Sequence, residues 1–133
     1  MKYKSQGQDT TCFPVALVNC GIYKGIKLNL RQYIKMGHCE SGAVIGANKL
    51  VLHSELPLKK TNDFDLVCKN GGILAIMHPI CNLHAVFIQP IDDPDHVLMV
   101  NSWLGPNEYV MDKKTLQKFL PSEPNNKYYC FES

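Results

Sequence analysis

Residues 84–103 read HAVFIQPIDDPDHVLMVNSW, and this stretch decides the fold. Two apolar, β-branched runs, His84–Ile91 and His96–Trp103, flank Asp92-Asp93-Pro94-Asp95. Pro94 fixes its own φ and the Asp side chains accept local backbone bonds, so the segment reads as a turn joining two antiparallel strands. Centring that turn on Asp93-Pro94 makes opposed positions sum to 187. His84 then faces Trp103, and Asn101 lies on the same face as His84, one diagonal step away. Diagonal neighbours have Cα atoms roughly 7–8 Å apart, close enough for two side chains to meet. A slip of one residue would move Asn101 to the opposite face.

Gly72–His78 (GILAIMH) reads as a further strand, and Tyr128–Phe131 as a last edge strand. Asp112 caps a helix through Leu120, stopped by Pro121. The front half has a different period. Cys12–Tyr23 (CFPVALVNCGIY) carries Phe13, Ala16, Leu17 and Cys20 at helical spacing. Thr10 or Thr11 is its expected N-cap, Pro14 suits its first turn, and Gly21 and Gly25 weaken and end it. Asn29 opens a second short helix through Tyr33 and Met36. A third is expected from about Ala43 to His53, with Val44, Ala47, Leu50 and Val51 on one face. Helices first and an antiparallel sheet second define an α+β fold, with N-terminal helices packed on a C-terminal sheet.

At 133 residues, 45% hydrophobic and 20% charged, residues 1–133 read as one domain able to build a single core. No repeat or low-complexity linker divides it. Fourteen Lys+Arg against twelve Asp+Glu leave a formal charge of +2, without the basic, aromatic-interleaved stripe of a nucleic-acid binder. No apolar run approaches the roughly 20 residues that span a bilayer. The residues before Cys12 lack the apolar stretch of a secretory signal, so the expected compartment is the reducing cytoplasm. The six cysteines are then expected as free thiols, mostly buried.

Cys12 stands at the start of the most hydrophobic helix. Unpaired N–H groups and the helix dipole there favour thiolate; the plainer reading is a buried thiol that happens to open a helix. His84 and Asn101 form the second element. An Asn carbonyl accepting from one imidazole nitrogen fixes the tautomer and aims the other nitrogen outward, and Trp103 would shield that bond from water. The plainer reading is a satisfied strand histidine beside a core Trp. Gln6, six positions before Cys12, is the third element. Its amide and the Cys12 N–H suit the oxyanion of an acyl-transfer intermediate, with Gln8 as a nearer rival.

In this order, Gln6, Cys12, His84 and Asn101 resemble the papain-like cysteine peptidases. The matching features are Gln6 six before Cys12, a helix opening at Cys12, HAV at 84–86, and NSW at 101–103 followed by Gly105. The resemblance implies Cys12 as nucleophile, His84 as base, Asn101 as its orienter, Gln6 as oxyanion donor and Trp103 as shield. The stretch TCFPVALVNCGIYKG, with GGILAIMHP before the histidine strand, is closer to the compact bacterial and phage branch that includes the double-glycine leader peptidases of bacteriocin export. Two departures stand out. Both branches usually place Gly after the nucleophile, where this chain has Phe13, and the leader peptidases use Asp where it has Asn101. With no transporter segment after the domain and no room for a pro-segment before Cys12, the resemblance implies restraint by narrow specificity or by a partner.

The implied activity is thiol-dependent hydrolysis of a peptide, isopeptide or amide bond through an acyl-enzyme, on a peptide or protein substrate and without a cofactor. Deamidation and acyl transfer use the same groups. The competing class is a binding module that keeps the fold without turnover, for which Phe13 is the hint. A zinc reading places His78, Cys81 and His84 at intervals of three, with Cys68 as fourth ligand. Pro79 and Asn82 make that stretch a bend, and no metal is expected. Cys20 belongs to the buried face of the first helix, and Cys39, Cys68, Cys81 and Cys130 read as structural thiols. His38, His53 and His96 read as surface or capping residues without partners. Lys59-Lys60 and Lys113-Lys114 are too small as clusters to imply a polyanion.

Overall fold

The computed structural model describes residue 3 and residues 12–36, 38–40, 43–45, 47–78, 82–101, 107–120 and 128–132. Helix α1 covers Cys12–Tyr23 and α2 covers Leu30–Met36. Strands β1 (His38–Glu40) and β2 (Ala43–Ile45) pair with each other, and α3 follows at Ala47–Ser54. Next come β3 (Leu58–Thr61), α4 (Phe64–Asn70), β4 (Gly72–His78), β5 (Asn82–Pro90) and β6 (His96–Asn101). The described chain ends with β7 (Asn107–Asp112), α5 (Lys113–Gln117) and β8 (Tyr128–Phe131).

Six strands form one antiparallel sheet in the order β3-β8-β4-β5-β6-β7. The hairpin that decides the fold has the expected register: Phe87 opposes Val100, Ile88 opposes Met99, and Pro90 opposes Val97. Its turn is held as its chemistry requires. The Asp95 amide donates to Asp93 Oδ1 at 2.8 Å, and the Asp93 amide to the Ile91 carbonyl at 2.7 Å.

Both faces of the sheet are covered. On one, α1 lies against β5, and Phe13, Ala16 and Leu17 share a core layer with Ile73, Phe87 and Val100. On the other, Phe64 and Val67 of α4 and Leu116 of α5 pack on Leu74, Val86 and Met99. Alternate residues of β5 therefore serve different layers, as the pleat demands. Helix α1 is buried all round from Cys12 to Gly21, more completely than one apolar stripe at Phe13, Ala16, Leu17 and Cys20 implies, because α2 and α3 cover the side away from the sheet.

The end of α1 is a Schellman turn. The Ile26 amide donates to the Gly21 carbonyl at 2.7 Å and the Gly25 amide to the Ile22 carbonyl at 3.1 Å. Gly25 takes the required left-handed conformation at φ 77°. Asn29 precedes α2 as expected, its carbonyl accepting from Gln32 and Tyr33. The expected Thr10 or Thr11 cap of α1 lies outside the described residues.

Three expectations need correction. The third helix begins at Ala47, and Ala43–Ile45 is a strand paired with His38–Glu40; the β-branched pair Val44-Ile45 favours extended backbone, and a glycine at 46 disfavours carrying a helix through it. Tyr128–Phe131 is an interior strand, fully buried between β3 and β4. The edge beside it is β3, blunted by exposed Lys59 and Lys60. Helix α4 is the clearest omission, although Asp63 announces it by accepting from the Leu66 amide at 3.1 Å. Asp112 caps α5 by accepting from Lys114, and that helix is shorter than expected, ending at Gln117.

Candidate active site

Cys12 is the first residue of α1 and is fully buried. It shares an apolar layer with Ala85 and Phe87 of β5. In this structure its sulfur is in a disulfide. The expectation of free thiols is thus overturned at Cys12. It holds for Cys20, Cys68 and Cys130, which are free and buried. Burial pushes the Cys20 thiol well up and the Cys68 thiol up to about 11, and it raises Cys130 too. None of those three is primed to ionise near neutrality.

His84 is fully buried near the start of β5 and opposes Ile76 of β4. By pleat alternation it has the parity of Val86 and Ile88, which serve the layer facing α4 and α5, whereas Ala85 and Phe87 serve the layer facing α1. The Asn101 backbone closes β6, where it pairs with Asn107 of β7. The observed β5–β6 pairing runs from Phe87–Val100 to Pro90–Val97, so Asn101 lies one residue beyond its last pair. Gln6, Gln8 and Trp103 lie outside the described residues, as does the side chain of Asn101. Phe13 is accounted for: its ring is 2% exposed and meets Tyr129 edge-on at 5.5 Å, so it is a core residue.

Of the zinc candidates, Cys81 is outside the described residues, and Cys68 belongs to α4 in the second core layer. Two histidines expected without partners have them. His53 Nδ1 lies 3.2 Å from the Tyr33 hydroxyl and its Nε2 lies 3.3 Å from Gln32 Nε2, tying α3 to α2. His96 Nδ1 lies 3.1 Å from Asp93 Oδ1. That contact is the main reason the His96 pKa is raised; Asp93 is lowered first by the Asp95 amide and then by His96. The sequence signal was an acid three residues before His96 in a tight turn. Tyr3 carries a signal too weak to read in advance. Its hydroxyl donates to Gln89 Oε1 and its ring packs on Phe87 at 5.3 Å, which ties Tyr3 to β5.

No helix among the described residues is long and apolar enough to cross a membrane. Comparison with family models, curated proteins and solved structures returns no match for this chain.

Proposed function

We propose that the chain is a papain-like thiol hydrolase acting on a peptide, isopeptide or amide bond once Cys12 is reduced. The observation that carries this reading is a fully buried His84 in β5, the strand that packs on the helix Cys12 opens, with Asn101 at the end of the neighbouring β6. In the reaction His84 takes the Cys12 proton and the thiolate attacks the carbonyl carbon. The Gln6 amide and the Cys12 N–H hold the oxyanion. His84 returns the proton to the departing amine, and water then releases the acyl group from sulfur. Asn101 orients the imidazole throughout.

The Cys12 disulfide favours a second reading, a peptide-binding module without turnover, because a sulfur in a disulfide is no nucleophile. One experiment separates the two. The protein, reduced with excess dithiothreitol, is incubated with peptides bearing an acyloxymethyl ketone and analysed by intact mass. The hydrolase reading expects one adduct on Cys12, absent without reductant and lost in His84→Ala. Failure of the fully reduced protein to form an adduct or to cleave a peptide library leaves the binding module.

A further inference from the structure

At the opposite end of α1 from Cys12, a groove of about 660 Å³ is formed by Val18 and Ile22 of the helix and by the segment running from Gly25 to Arg31. Its volume lies in the range of ligand sites, about 300–1,000 Å³. Ile22 is ten residues from Cys12, about 15 Å along the helix axis, so the groove is separate from the proposed catalytic groups.

The lining combines two chemistries. Val18, Ile22, Ile26, Leu28 and Leu30 supply aliphatic surface, and Lys27 and Arg31 supply positive charge. Among the described residues no carboxylate lines it. The charge is part of a wider asymmetry. From Thr10 to Cys39 the chain carries Lys24, Lys27, Arg31 and Lys35 and no Asp or Glu. Four positive charges thus fall in one segment of a chain whose formal net charge is only +2. Lys24 is occupied: its ammonium sits 4.6 Å from the centre of the Phe131 ring and 5.2 Å from that of Tyr23. Lys27 and Arg31 are exposed beside the apolar floor.

The groove's backbone is fixed in advance. The Schellman bonds from Ile26 and Gly25 hold the turn, and a Cβ on Gly21 would lie 2.6 Å from the Ile26 carbonyl oxygen, so helix and turn are in close contact. Pre-organisation of this kind lowers the ordering cost of binding. Among the described residues no aromatic side chain lines the groove, which argues against single-stranded nucleic acid, held in such grooves by stacking bases on rings.

We propose that this groove binds a peptide segment in which apolar side chains alternate with acidic ones, the apolar groups entering between Ile22 and Leu28 and the carboxylates meeting Lys27 and Arg31. The site stands independently of the hydrolase reading and is expected in the oxidised protein as well.

The test is fluorescence anisotropy of the full-length protein with a fluorescein-labelled peptide of alternating Leu and Glu. Two control peptides replace every Glu by Lys or every Leu by Ser. The Leu/Glu peptide is expected to bind saturably, at least about tenfold tighter than either control, and several-fold more weakly at about 0.5 M than at 0.05 M NaCl, as exposed charges are screened. Lys27→Glu combined with Arg31→Glu abolishes binding, while Lys59→Glu with Lys60→Glu on β3 leaves it intact. Ile26→Ser, at a residue 41% exposed, weakens it without unfolding the protein, as checked by circular dichroism. The proposal is overturned by any of four results: no saturable binding, equal binding of the Leu/Lys peptide, indifference to the Lys27/Arg31 reversal, or sedimentation showing two copies of this chain closed over the groove.

Discussion

Replacing Gly21 by Ala sets helix propensity against packing, and the structure says which prevails. In an ordinary helix interior the change stabilises by about 0.5–1 kcal/mol, because Gly loses the most backbone entropy on folding. Here the new Cβ would lie 2.6 Å from the Ile26 carbonyl oxygen and 3.2 Å from two carbons of Leu28. Backbone cannot swing aside as a side-chain tip can, so the turn must move. Overpacking of this type costs about 1–3 kcal/mol. Loosening the 2.7 Å bond from the Ile26 amide to the Gly21 carbonyl removes about 1 kcal/mol more. The net expectation is destabilisation by about 1–3 kcal/mol. For a domain of this size that is a fall in melting temperature of about 4–10 °C, measured by far-ultraviolet circular dichroism. Gly25→Ala is the internal control. Its Cβ would meet nothing within 4 Å, so its cost is only that of a left-handed conformation, about 1–2 kcal/mol. A Gly21→Ala protein that melts higher than the parent would refute the close contact between α1 and its turn, and with it the fixed wall of the groove.

Three further outcomes are expected. Phe87→Ala removes a fully buried ring that meets Tyr3 and Tyr23 in tilted contacts on the α1 side of β5, and should cost about 3–5 kcal/mol in guanidinium unfolding; a loss under 1 kcal/mol would show that α1 does not rest there. Gly72→Ala should yield no folded protein, since at φ 154° its Cβ would fall 2.0 Å from the Tyr129 carbonyl oxygen across the β4–β8 pair, and a native spectrum for that variant would contradict the strand order. The His96–Asp93 contact should appear as an NMR titration midpoint for His96 above its ordinary 6.5 that falls in Asp93→Asn. By linkage, the His96 contribution to stability is present below 6.5 and lost as pH rises through its raised pKa; that of Asp93 is lost as pH falls through its lowered one. An unchanged midpoint in Asp93→Asn would refute the pairing.

How much of this is legible in the sequence differs element by element. The hairpin register is legible because a proline turn between two β-branched runs leaves one alignment that buries both strands on both faces. Helix α1 is legible to the residue, since an apolar period running from Pro14 to a Gly21/Gly25 terminator has no competing solution. Ala43–Ile45 misleads because Val44 lies three residues before Ala47 and seven before Val51, so a short strand and a short helix run on as one helical pattern. The interior position of Tyr128–Phe131 is hidden because the strand that covers it, Leu58–Thr61, is short and lysine-rich, and sequence order says nothing about which strands become neighbours. The candidate site is legible in part. The residue types follow from the sequence, and so does the hairpin register observed from Phe87–Val100 to Pro90–Val97, whereas the Cys12 disulfide depends on a long-range approach that no local pattern encodes. The groove is invisible to periodicity for the same reason: its floor is drawn from a helix and from the turn that ends it.

The central claim is that Cys12, once reduced, ionises through His84. The direct measurement is the rate of iodoacetamide alkylation of each thiol in the fully reduced, folded protein at about pH 6, followed by peptide mass mapping. Burial holds Cys20, Cys68 and Cys130 protonated there, so Cys12 should react first, at least about tenfold ahead of those three, and should lose that lead in His84→Ala. A Cys12 that reacts no faster than Cys20, Cys68 and Cys130, or at a rate unchanged by removal of the imidazole, would contradict the account.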